Sequence, residues 1–317
     1  MGIKELGGAK VSFTISPKIE VIDCVTYQQM RVSFNKREVI NNKAYLKEIA
    51  GEVEPIKLKY DRFEDLLDLI VSQISKLGLT RDELFSSNDT VEILEKLKTV
   101  NELKFLFSLP QPIWEGYTTE EHSLAVAQML VKMAPSEKKA WLWEIAGLLH
   151  DIGKSVAAHF EKDAKEGRRQ QETYNLRIAD IVLRETGFTQ KERWDIWELI
   201  QNSSLPYKYV AEEITSSEAM KILSNMRVVA NDEENPLEVL NSLKNFWVAD
   251  ASDYSAVQCL IKGSRLKQSF ESQFVYIFGN KDQKWKLINV ELIPDLQEKY
   301  EELYEDIVLM LERQMKS

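Results

Sequence analysis

Histidine and cysteine are scarce in this chain, with three of the first and two of the second among 317 residues. Cys24 and Cys259 lie far apart and form no C-x-x-C pair, which excludes a disulfide framework and a thiolate metal site. A reducing, cytoplasmic home is the expectation. Long apolar runs are missing too: none approaches the roughly 18 residues of a membrane span, so no membrane partner is expected. Residues 1–13, MGIKELGGAKVSF, lack the apolar centre of a signal peptide, and Leu6 stands where N-myristoylation needs Ser or Thr. Positive charge is in deficit, with 41 Lys and Arg against 51 Asp and Glu and a net charge of −10. Extended binding to a nucleic-acid backbone, which depends on clustered cations releasing counterions, is therefore disfavoured against a small, locally held substrate. The phosphate-cradling G-x-x-x-x-G-K-[ST], the dinucleotide fingerprint G-x-G-x-x-G and the G-x-S-x-G nucleophile elbow are all absent.

What is present falls into three stretches. Residues 1–88 read as an α+β region: strand-like runs KVSFTIS and DCVTYQQMRVSF precede an amphipathic helix, DRFEDLLDLIVSQISKLGL, that ends at Gly78. Residues 89–265 are nearly all helical, with a turn or boundary at SLPQPIWEGY (108–117). Residues 266–317 read as a hairpin, QFVYIFGNKDQKWKLINV with GNKD as its turn, and a charged helix, packed on the helical part. The expected fold is mainly α, a multi-helix bundle with an α+β N-terminal region and a C-terminal hairpin plus helix. The seven tryptophans, among them Trp141, Trp143, Trp194 and Trp197, fall at helical spacing and are expected in the core.

The helix ends in the middle stretch place its polar residues. Thr118 and Glu121 have capping-box spacing, which starts a helix near 119 and puts His122 in its first turn. Pro135 and Ser136 end that helix and begin the next, whose apolar stripe is Trp141, Ile145, Leu148 and Ile152, with Gly153 as a left-handed C-cap. His150 and Asp151 then belong to its last turn. Asn235, Pro236 and Glu238 open a third helix, expected to run to Gly263. Its apolar row, Leu240, Leu243, Trp247, Tyr254, Val257 and Ile261, contains one carboxylate, Asp250. An ionised Asp on such a face costs several kcal/mol unless a cation or donors meet it. His122, His150, Asp151 and Asp250 together offer two imidazoles and two carboxylates, a set suited to one divalent ion: Mn, Fe, Zn or Ni, with Mg less favoured by nitrogen ligands.

EEHSLAVA, LLHDIGK and WVADASDYSA, which carry His122, His150–Asp151 and Asp250, resemble the H…HD…D signature of the HD-domain superfamily of metal-dependent phosphohydrolases. The resemblance covers roughly 117–260. It implies an HD-type helical core, one divalent metal on those four residues, and hydrolysis of a nucleotide or other small phosphoester by a metal-activated water, with Asp151 at the catalytic centre. Lys154 and His159 are further catalytic candidates, as a phosphate or carboxylate contact and a proton donor; Lys154, Arg168 and Arg169 are candidates for binding phosphate, the two arginines on a basic loop. Asp253, one turn beyond Asp250, competes for its role. Dinuclear members of the superfamily carry additional histidines, so three in total imply a single ion. The alternative is a non-catalytic, metal-stabilised HD module that senses a ligand or scaffolds a protein partner.

Overall fold

The protein is described here by a computed structural model covering residues 2–6, 9–22, 25–34, 58–86, 89–109, 118–161, 164–230, 235–252, 274–281, 284–292 and 294–315. Two compact units emerge: Met1–Val53 with Pro112–Gly116 and Val248–Glu301, and Glu54–Gln111 with Tyr117–Trp247 and Glu302–Ser317.

The first unit holds an antiparallel sheet of five strands in sequence order, β1 (Gly2–Leu6), β2 (Ala9–Ile22), β3 (Val25–Phe34), β4 (Phe274–Lys281) and β5 (Lys284–Leu292). KVSFTIS lies within β2 and VTYQQMRVSF forms β3, as expected from their β-branched and aromatic content. Strand β1 pairs only with residues 9–13 of β2, so Pro17, which has no N–H to donate, lies where β2 has a single partner strand. The hairpin joins this sheet through β3, Gln28 opposite Asn280 and Val32 opposite Tyr276. Its turn is shifted from GNKD: Gly279, Asn280 and Lys281 pair with Lys286, Trp285 and Lys284, past a one-residue register shift at Ile277/Phe278. Residues 282 and 283 lie outside the described residues.

The second unit is helical. Helices α1 (Phe63–Leu77), α2 (Arg81–Leu84), α3 (Thr90–Leu97) and α4 (Asn101–Ser108) lead to α5 (Thr119–Met133) and α6 (Glu137–Leu149). Then follow α7 (Lys154–Phe160), α8 (Ala164–Glu185), α9 (Gln190–Asn202), α10 (Leu205–Val210) and α11 (Ser216–Ala230). Helix α12 (Pro236–Ser252) belongs to this unit up to Trp247, and α13 (Pro294–Met315) from Glu302 onward. The caps are where the sequence puts them. Gly78 ends α1 at φ 66, Thr118 and Glu121 close a reciprocal capping box, Ser136 Oγ accepts from Lys139 N–H, and Asn235 Oδ1 accepts from Leu237 N–H. Leu66, Ile70, Ile93, Leu97, Val126, Leu130, Leu148, Leu240 and Leu243 are fully buried.

Two expectations change. Gly153 is not a left-handed cap, since its φ of −94 and ψ of −1 suit any residue; it opens α7. Glycine is needed there for space: a Cβ would lie 2.5 Å from Asn175 N and from the carbonyl carbon of Tyr174. The stretch KEGRRQ is not a loop but the first part of α8, where Gly167 lets the helix pass close to the backbone of α7 at Ala157 and Ala158. The expected continuation of α12 to Gly263, with Asp253, Tyr254, Val257 and Ile261, lies outside the described residues.

Helices α5 and α6 touch backbone to backbone at Gly147, where a Cβ would be 2.7 Å from Ala127 Cα. Gly147→Ala and Gly153→Ala should each lower the unfolding free energy by about 1–3 kcal/mol through overpacking, read as a shift of the urea midpoint. A buried acid gives a second test. Burial on α9 pushes the Glu198 carboxyl up from 4.5 to about 7, with Asp195 adding to the rise and a hydrogen bond from Asn202 opposing it. Between those two values the folded chain keeps a proton that the unfolded chain has released, so stability falls as pH rises from about 4.5 to about 7. Glu198→Gln should flatten the dependence of thermal midpoint on pH across that window.

Candidate metal centre

Helix starts and stops place the polar residues. His122 lies in the first turn of α5, its N–H bonded to Thr118 O, and is 1% exposed. His150 is the C-cap of α6 and Asp151 the next residue, at 8% and 6% exposure. His150 Nδ1 donates to Gly147 O at 2.8 Å, since a carbonyl can only accept; the lone pair is thus left on Nε2.

The ligand-type atoms converge. His122 Nε2 is 3.2 Å from His150 Nε2, and Asp151 Oδ2 is 3.5 Å from the first and 3.7 Å from the second. The point in their plane equidistant from all three lies about 2.0 Å from each, the bond length that zinc and similar cations keep to imidazole nitrogen and carboxylate oxygen. Among the described residues this is the one cluster of His, Cys, Asp or Glu placed to hold a metal, and its donor set fits a divalent transition ion. The surroundings are apolar on one side: Phe246 of α12 meets the His150 ring edge-on at 5.6 Å. On the other, Lys154, the first residue of α7, donates to Asp151 Oδ2 at 2.9 Å and keeps the carboxylate from being a lone buried charge.

The other expected residues are placed as follows. Asp250, half-buried on α12, is not one of the three residues in the cluster. Half-buried on α7, His159 accepts at Nδ1 from Leu58 N–H at 3.4 Å and packs edge-on against Phe160, outside the three-donor cluster. Arg168 and Arg169 belong to α8, and Asp253 lies outside the described residues. Asn175 escaped the sequence reading. It is buried on α8, and its Oδ1 accepts from Gly153 N–H at 2.7 Å, fixing the turn that carries Asp151 and Lys154. No local pattern reveals it, because the two residues are 22 apart.

No helix among the described residues is long and apolar enough to cross a membrane. No curated protein and no solved structure matches the chain. The family model of the HD domain matches residues 119–227, a span that contains α5 to α10, most of α11 and all three converging residues. HD domains are helical folds that bind divalent metals and are typically metal-dependent phosphohydrolases. The buried His122–His150–Asp151 cluster lies within that match, so residues 119–227 resemble an HD domain both in sequence and in carrying a possible metal-binding triad.

Proposed function

We propose that this chain is a phosphohydrolase that binds one divalent metal through His122, His150, Asp151 and Asp250 and cleaves a nucleotide or another small phosphoester. The observation that carries the reading is the convergence of three buried donor atoms at bonding separation from one point. Asp250 is added to the set on the H…HD…D pattern of the sequence alone. A cation held there would polarise a phosphoryl oxygen and lower the pKa of a water.

The remaining work belongs to the chain's own groups. Gly147 O holds the His150 ring and its tautomer. Lys154 orients the Asp151 carboxylate, and its ammonium is the proposed contact to a phosphoryl oxygen. His159, whose Nδ1 is taken up by Leu58 N–H, carries its proton on Nε2, the form required of a donor to a leaving oxygen. Arg168 and Arg169, near the start of α8, complete the proposed phosphate contacts. Phe246 packs against the His150 ring, and the α5–α6 contact at Gly147 holds the two helices together beside the cluster.

Purified protein should contain about one equivalent of transition metal, and Asp151→Asn should lower metal affinity by about 10–100-fold while the helical circular dichroism persists. Metal content unchanged by that substitution would contradict the ligand assignment. Lys154→Ala should retain the metal but lower kcat/KM toward generic phosphoesters by about 10–100-fold, the worth of a charge-assisted hydrogen bond to phosphate. A stoichiometrically metallated protein with no hydrolysis across nucleotide and monoester substrates would instead favour the sensor or scaffold reading.

A further inference from the structure

Away from the metal cluster, α8 and α9 form the walls of an open cavity of about 760 Å³, within the range of small-molecule sites. Asn175 marks the side of α8 that faces the Gly153 turn. At 100° per residue, Arg177, Asp180 and Arg184 lie about 140–200° around the helix from it, on the opposite side. The cavity is therefore distinct from the metal centre and does not depend on the function proposed above.

Its lining is rich in donors and flat rings. Arg177, Arg184 and Arg193 face a single lining carboxylate, Asp180, which pairs with Arg193 at 2.9 Å. Arg177 and Arg184 are about half exposed, and their partners, Glu64 at 3.5 Å and Glu185 at 2.9 Å, are surface pairs of the kind worth roughly 0–1 kcal/mol. Both guanidinium forks can exchange those partners for a phosphate at small cost. Arg193 Nε and Trp194 Nε1, adjacent in sequence, are buried donors with no hydrogen-bond acceptor among the described residues. Trp194 and Trp197 are stacked, with ring centroids 4.9 Å apart and planes at 7°, on the face of α9 that lines the cavity. Core packing does not explain them, since Ile196, Leu199 and Ile200 supply the buried face of that helix and both tryptophans are only partly covered.

A surplus of cationic donors asks for an anion, and a partly open indole stack beside them asks for a planar ring. The geometry points to a second ligand site in which a nucleoside phosphate stacks its base on the Trp194–Trp197 pair and places its phosphates between Arg177 and Arg184. Phosphate alone would leave the rings unused, and a nucleoside alone would leave the guanidiniums unused, so both parts are needed for full affinity.

The test is titration of the full-length chain with ADP in EDTA, followed by quenching of tryptophan fluorescence, so that no cation at the metal centre can hold the phosphates. Saturable quenching is expected. Arg184→Gln should raise Kd by about 10-fold or more, as loss of a charge-assisted hydrogen bond implies. Adenosine and pyrophosphate should each bind at least about 10-fold more weakly than ADP. Trp197→Leu should weaken ADP binding but not pyrophosphate binding, a difference that mere misfolding would not produce. His150→Ala should leave Kd unchanged. Absence of saturable quenching, a Kd unaffected by Arg184→Gln, or loss of binding in His150→Ala would each overturn the proposal, the last by moving the nucleotide to the metal centre.

Discussion

A carboxylate and two imidazoles buried within 3.7 Å of one another cost free energy unless a cation meets them, and the helical unit is arranged around that constraint. In this structure Lys154 meets Asp151, and Gly147 O holds His150. Those two contacts bring a Lys ammonium and an ordered lone pair to one oxygen and one nitrogen, which is also what a metal site requires of its surroundings. The cluster is thus a preorganised set of donors rather than a chance meeting of polar side chains, which would cost stability with no compensating partner.

Two glycines make the geometry possible. Gly147 lets α5 and α6 approach until their backbones touch, which is what brings the first turn of one to the last turn of the other. Gly153 does the same between the turn after α6 and the body of α8, where Asn175 then grips its N–H. Side chains at either position would separate elements by an ångström or more, and a donor triangle with sides of 3.2–3.7 Å does not survive such a shift. Packing in the fold and geometry at the site are here the same contacts.

Much of this was legible in the sequence because helix ends write themselves locally. Thr118 with Glu121, Ser136 after Pro135, and Asn235 before Pro236 are cap patterns within three residues, and each is a cap in the structure. Knowing the ends of α5 and α6 is enough to put His122 beside His150 and Asp151. The reading failed where the decisive partner is distant in the chain. Gly153 looks like a C-cap until Tyr174 and Asn175 arrive beside it, and Gly167 looks like a loop signal until α7 is packed against it. GNKD has the composition of a turn, yet its first three residues, Gly279, Asn280 and Lys281, pair in the ladder. Trp194 and Trp197 have core spacing, but the face they occupy on α9 borders an open cavity.

The central claim is that two imidazoles and a carboxylate of this chain share one ion, and X-ray absorption spectroscopy of the zinc- or manganese-loaded protein tests it most directly. The account predicts two imidazole ligands per ion, with the rest of the shell oxygen and the nearest donors at about 2.0–2.2 Å, and a drop to one imidazole in His122→Ala. A shell of oxygen alone, or an imidazole count that His122→Ala leaves at two, would contradict it.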